Sequence, residues 1–264
     1  MIEWSGIGVY DGVVMDKSHV SLTGKTALIT GAAQRLGKAA AVALAQQGVN
    51  VVVHYHQSEE AAGDVCEDLQ NAGVSSWLIQ ADLSNSGQAE TLFQEAVRRA
   101  GAIDILVNNA SIFDQETLWE TSEVSLWRNL QIHAVAPLTL TKALARQHRT
   151  AHVVNLLDTR VTVYDRQHVS YHLSKRILLT LTRMLALELA PEIAVNAIAP
   201  GLILPPVGED ESYLERLAHC NPLQRYGCPQ DVVETLLFLL RSGFITGQVI
   251  YVDGGYHMKG HMYD

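Results

Sequence analysis

The stretch KTALITGAAQRLGKAAAVALAQQGVNVVVHY, residues 25–55, decides the fold. Residues 25–30 form a short apolar run of strand length. Residues 37–47 are rich in alanine, the best helix former, and Gly48 follows as a stop. Residues 50–55, with Val51, Val52 and Val53 in succession, read as a second strand. A strand, a helix and a second strand joined this closely make a βαβ unit, which pairs its strands in parallel. Between strand and helix lies Thr30-Gly31-Ala32-Ala33-Gln34-Arg35-Leu36-Gly37. Small residues in such a turn let backbone amides approach a pyrophosphate at the helix N-terminus. Gly31 and Gly37 hold the outer glycine positions, and Arg35 stands where a middle glycine is usual.

The alternation continues outward from this unit. Helices are predicted over residues 59–72, 88–100, 170–189 and 231–240, and residues 124–147 contain another long one. Strands are predicted over residues 77–80, 103–108, 151–157, 193–198 and 248–252. Strands apolar on both faces and alternating with helices imply a parallel sheet covered on both sides. The expected fold is α/β: one doubly wound Rossmann-type domain over residues 22–264, with a parallel sheet of about seven strands and helices on both faces. Residues 1–21 carry Glu3, Asp11 and Asp16 and lack the apolar run of a signal peptide or membrane span, so they are expected to form an N-terminal arm.

Composition narrows the class of function. The chain has 264 residues, 48% of them hydrophobic, enough for a large core, and a net charge of −9 with no run of lysine or arginine. That balance argues against a nucleic-acid or anionic-membrane partner, though a local site can still hold an anionic cofactor. Cys66, Cys220 and Cys228 have no metal-ligand spacing. They read as reduced thiols of a cytoplasmic protein, with no metal expected.

The end of the second strand discriminates between cofactors. An acidic residue there would accept hydrogen bonds from a ribose 2′-hydroxyl and favour NAD. The chain has His54-Tyr55-His56-Gln57-Ser58 instead. With no carboxylate to repel a 2′-phosphate, and with Arg35, His54, His56 and Ser58 as candidate partners, the expected cofactor is NADPH. Asp82-Leu83 closes the third strand, where a polar side chain can meet an adenine edge. Asn108-Asn109-Ala110-Ser111 closes the fourth, on the side where ligands gather in such sheets.

The candidate catalytic group lies further on. In Ser170-Tyr171-His172-Leu173-Ser174-Lys175, the tyrosine and lysine sit one helical turn apart on one face. An ammonium beside a phenol is expected to lower the tyrosine pKa and ready it for proton exchange.

Taken together, the Thr-Gly-x-x-x-x-x-Gly turn, Asp82, Asn108-Asn109-Ala110, Tyr171-x-x-x-Lys175, Pro200-Gly201 and Val252-Asp253-Gly254-Gly255 resemble the short-chain dehydrogenase/reductase family over most of the chain. The resemblance implies that Tyr171 donates a proton and that Lys175 binds the nicotinamide ribose. It also implies that Pro200, Gly201 and Ile203 lie beside the nicotinamide, and that the chain forms a homotetramer. Two positions depart from the family pattern. The usual catalytic serine, thirteen residues before the tyrosine, is Asp158, and the usual helix asparagine aligns with His133. An ionised aspartate would repel a developing oxyanion that a serine would stabilise.

Within the family, the pteridine reductases share the aspartate. They are similar in Arg35, the His54 to Ser58 segment, Asn108 to Ser111, Asp158, and Tyr171 with Lys175. The resemblance implies a pterin or folate substrate, contacted by Arg35, Ser111, Phe113, Asp158 and Tyr171, with its ring stacked between Phe113 and the nicotinamide. Reduction of a ring C=N needs a proton on nitrogen, which an aspartate–tyrosine–lysine relay can supply. Reduction of some other small carbonyl or imine, and a silent NADP(H)-binding sensor, are the competing readings.

Overall fold

The computed structural model describes residues 20–259. The expected arm, apart from Val20 and Ser21, lies outside the described residues. Seven strands build one sheet: β1 (Thr26–Ile29), β2 (Asn50–Tyr55), β3 (Ser76–Gln80), β4 (Ile105–Asn108), β5 (Ala151–Leu156), β6 (Ile193–Pro200) and β7 (Val249–Val252). Their order is β3-β2-β1-β4-β5-β6-β7, and every neighbouring pair is parallel. The chain winds outward from β1 in one direction, then returns to start again at β4. The crevice between the carboxyl ends of β1 and β4 is the switch point where ligands bind in such sheets.

The helices are α1 (Arg35–Gln46), α2 (Glu59–Asn71), α3 (Gln88–Ala100), α4 (Glu123–Leu130), α5 (Ala136–Ala145), α6 (Val169–Glu188), α7 (Glu211–Leu217) and α8 (Pro229–Arg241). One core packs α1, α2 and α8 on the sheet, and a second packs α3, α5 and the end of α6. Residues 27–29, 51–53 and 105–107 are fully buried, as strands covered on both faces must be. Each such Val, Leu or Ile contributes about 1.5–3 kcal/mol by leaving water. The alanines of α1 let it lie close against the sheet, with Ala40, Ala41, Ala43 and Ala45 all buried.

Three elements differ from the sequence expectation. The long helix expected within residues 124–147 is divided by a π-helical turn, Gln131–Val135, between α4 and α5. There the Ala136 amide donates to the Gln131 carbonyl, five residues back. Pro137 follows and has no N–H to continue the α pattern, so the helix widens just before it. β6 runs on to Pro200, which carries Pro200 and Gly201 to the sheet's carboxyl edge. The segment after it, for which no helix is predicted, contains α7, capped by the Asp210 side chain accepting from the Ser212 amide.

Candidate active site

The first turn of α1 has no side-chain cap, so its amides face the switch point unclaimed by any described side chain. Gly31 has φ 63° and Arg35 has φ 54°. The left-handed backbone at Arg35 explains why glycine is usual there, and a side chain at that position costs on the order of 1–3 kcal/mol. Arg35 directs its guanidinium across the crevice to the Pro205 carbonyl, 2.7 Å away. A Cβ on Gly37 would overlap the Gly31 carbonyl and approach the Asn109 side chain at 2.6 Å. Thr30, unremarked in the sequence, locks the two ends of the switch point together. Its hydroxyl accepts from the Asn109 and Ala110 amides, each at 2.9 Å. Asn109 Nδ2 returns bonds of 2.9 and 3.0 Å to the carbonyls of Thr30 and Gly31. An uncapped helix terminus flanked by glycines and an arginine fits a dinucleotide pyrophosphate.

The expected cofactor residues divide into those at the surface and those beneath it. His56 is exposed, 3.6 Å from Asp82, and Ser58 starts α2 with no side-chain capping bond. Both remain available to a 2′-phosphate. His54 is corrected to a supporting role. It is 2% exposed, its Nδ1 accepts from the Gly31 amide at 3.0 Å, and its Nε2–H donates to the Ala81 carbonyl at 3.1 Å. Burial lowers its pKa to about 4, so it stays neutral. It holds the glycine turn from below and has no ring nitrogen left for a phosphate. Asp82 is likewise occupied: it accepts from the Ser84 amide and hydroxyl and from Asn85, a turn that fixes the backbone there. The Leu83 side chain is in the core rather than toward a ligand. The Gly201 amide N–H donates to the Val252 carbonyl, and a Cβ at Gly201 would come within 2.6 Å of Asp253 Cβ. Ile203 is buried beside Gly227.

The structure brings Asp158, Tyr171 and Lys175 together. The Tyr171 hydroxyl donates to Asp158 Oδ2 at 3.1 Å. Asp158 Oδ1 accepts from the Arg160 amide at 2.7 Å, which caps a 3-10 turn over Thr159–Thr162 and fixes the carboxylate plane. The expected lowering of the tyrosine pKa by Lys175 is not what this geometry produces. Burial, then the negative charge and hydrogen bond of Asp158, push Tyr171 well above its ordinary value. Tyr171 is therefore a firmly held phenol with its proton on the side of Asp158. Lys175 donates to the Leu156 carbonyl at 2.7 Å, which leaves two of its three N–H groups for the hydroxyls of a ribose. Burial lowers it to about 8, partly offset by Asp158.

His133 occupies the π turn and its environment defines its role. Ser174 donates to the Tyr171 carbonyl at 2.6 Å, so it must accept from His133 Nδ1–H at 2.8 Å. His133 Nε2 then accepts from the Ser111 hydroxyl at 2.9 Å and the Ile112 amide at 3.2 Å. Burial, reinforced by Lys175, lowers its pKa far below the usual histidine value. It is a neutral tie between the loop after β4 and the catalytic helix. Beyond it, Phe113 is 43% exposed and sets the edge of its ring against Tyr171, with centroids 4.8 Å apart. Phe113 thus walls the space above the phenol.

The family model described as enoyl-(acyl carrier protein) reductase matches residues 31–257. The 3-oxoacyl-[acyl-carrier-protein] reductase FabG of Staphylococcus aureus is 34% identical over 244 residues, covering 89% of this chain and 98% of the relative. Among solved structures, FolM alternative dihydrofolate reductase 1 from Brucella canis, complexed with NADP, superposes with a TM-score of 0.85 at 33% identity, over 92% of this chain and 98% of that one. The promiscuous reductase LugOII, which catalyses keto-reduction at C1 in lugdunomycin biosynthesis, gives 0.84 at 31% identity, over 90% and 99%. The chain belongs to the short-chain dehydrogenase/reductase family and is an oxidoreductase. Among the described residues, no helix is long and apolar enough to cross a membrane.

Proposed function

We propose that this protein is an NADPH-dependent reductase of a pterin ring C=N, taking a dihydropterin or dihydrofolate to the tetrahydro form. The single observation that carries the reading is the carboxylate of Asp158, bonded to the phenol of Tyr171 at 3.1 Å. A hydroxyl at that place would steady a ketone oxygen as it becomes an alkoxide, whereas a carboxylate opposes that charge. A ring nitrogen that must gain a proton is served by an acid relay instead. Support also comes from the open Phe113 ring beside Tyr171 and from the likeness to the Brucella canis protein named as an alternative dihydrofolate reductase. Sequence identity does not separate the two chemistries, since the FabG relative is as similar.

NADPH supplies the hydride when bound. The amides opening α1, with Arg35, His56 and Ser58, would hold its phosphates, and Lys175 its nicotinamide ribose. Pro200, Gly201 and Ile203 would line the nicotinamide at the end of β6, with Asn109 and Ala110 closing the other side. Phe113 would orient the flat substrate, and Ser111 and Arg35 would meet its polar edge. Tyr171 would turn its hydroxyl from Asp158 to the ring nitrogen and give up its proton there, and Asp158, taking a proton from solvent, would return one to the phenolate. Trp127 on α4 and Ile177, Met184 and Leu187 on α6 are exposed apolar residues that a homotetramer would cover. Light scattering of a monomer at micromolar concentration would contradict that assembly.

The reading is tested by replacing Asp158. Asp158→Asn should lower dihydropterin turnover by roughly 10²-fold or more, the usual worth of a placed acid, while NADPH affinity stays within twofold. Asp158→Ser should not restore it. Undiminished pterin turnover in the serine variant would overturn the reading.

A further inference from the structure

The contacts around the phenol close into a ring that the catalytic groups alone do not explain. Tyr171 bonds Asp158, and Asp158 holds the Arg160 amide. The Arg160 guanidinium donates to Asp165 Oδ2 at 2.7 Å, and the same carboxylate pairs with His168 Nδ1 at 3.0 Å. Asp165 Oδ1 accepts from the Gln167 and His168 amides. The His168 ring lies flat on Phe113, centroids 3.9 Å apart and planes 14° from parallel. Phe113 returns to Tyr171 edge-on. The Asp165 side chain is only 6% exposed, yet its carboxyl is held at about 2: burial raises it, and the Gln167 amide and Arg160 more than compensate.

The backbone that carries Phe113 is already fixed without this arrangement. His133 ties Ser111 and Ile112 on one side. On the other, the Glu116 amide donates to the Gln167 carbonyl at 2.7 Å, and the Glu116 side chain accepts from Ser125 and from the Ser170 amide. What those ties leave free is the rotation of the Phe113 ring about its side-chain bonds. His168 covers one face of that ring and cannot itself turn, because Asp165 holds both its Nδ1 and its amide.

We propose that His168 is a positioning residue for a flat heteroaromatic substrate: a fixed plate that sets the plane of Phe113, registered through Asp165 and Arg160 to the carboxylate that serves Tyr171. The inference deepens the pterin reading and rests on it. It assigns the selectivity for a planar ring over an open acyl chain to a residue that touches Phe113 rather than the reacting atoms.

Two variants separate the plate from a simple loop clip. His168→Phe keeps an aromatic face and gives up the bond to Asp165. His168→Asn keeps a donor for Asp165 and gives up the face. With NADPH saturating and dihydrobiopterin varied, His168→Asn should raise KM roughly threefold to tenfold, the worth of one aromatic pair, with kcat within twofold. His168→Phe, which keeps the face and loses the bond that fixes it, should raise KM by less, about twofold to threefold, between wild type and His168→Asn. NADPH affinity, measured by fluorescence titration, should match wild type in both and reports that each variant is folded. Equal KM values in the two variants, the reverse order, or a parallel loss of NADPH affinity would overturn the proposal while leaving the pterin reading intact. A wild-type enzyme that reduces ketones and not dihydrobiopterin would overturn the reading, and the plate with it.

Discussion

The Lys175 ammonium lies 5.6 Å from the centre of the Tyr171 ring and gives its hydrogen bond to the Leu156 carbonyl rather than to the phenol. The two residues share a helix face, as their spacing requires, and in the function proposed above the lysine serves the ribose of the cofactor. Its charge is what NADPH binding should feel. Burial places Lys175 at about 8, so the ammonium is present below that pH and is lost as the pH rises through it. The NADPH dissociation constant should be flat from pH 6.5 to 7.5 and weaken about fivefold by pH 9.5, the difference between a charge-assisted bond and a neutral one. Lys175→Met should bind weakly with no such rise. A wild-type constant unchanged up to pH 9.5 would contradict the assignment.

Phe113 should matter to the substrate and not to the cofactor. Its ring is open above Tyr171, and loss of one stacking partner costs roughly threefold to tenfold in affinity. Phe113→Ala should raise the dihydropterin KM by that factor while NADPH titrations stay unchanged. Equal losses of both would mean that the ring shapes the cofactor site instead.

Buried and half-buried histidines set the acid limit of stability. Burial lowers His54 and His152 to about 4, and His133 well below its usual value. The unfolded chain takes up these protons near pH 6.5, while the folded one resists until near pH 4 or below. The unfolded state therefore binds more protons in this window, and folding stability falls as the pH drops through it. His54 alone accounts for about 3 kcal/mol across that range. Thermal unfolding followed from pH 7.5 to 4.5 should show a steady fall in Tm, and His152→Gln should make it shallower. A Tm that holds constant down to pH 4.5 would rule this out.

Much of this was legible in the sequence, and the exceptions have physical causes. β2 and α3 match the sequence expectation residue for residue, because a valine run and a strongly amphipathic helix leave no competing register. The role of His54 was not legible. A strand buried on both faces has no polar alternation to say which side chains reach a ligand, and both His54 and Tyr55 are buried. Tyr171 and Lys175 could be found from their spacing along the chain, and Asp158 through the family resemblance, as the position where a serine is usual. Asp165 and His168 could not: their partners are Arg160 and Phe113, and the contact with Phe113 spans a sequence distance that no local pattern records. The π turn that carries His133 had a signal in Pro137, which removes the next helical donor.

The central claim is tested most directly by following NADPH absorbance with dihydrobiopterin, dihydrofolate, an acetoacetyl thioester and a set of simple ketones, at neutral and mildly acid pH. The account predicts oxidation of NADPH that depends on a dihydropterin or dihydrofolate and that the thioester and ketones fail to elicit. Turnover of the thioester or ketones with none of the pterins would contradict it, and would make Asp158 an unusual member of a carbonyl-reducing site.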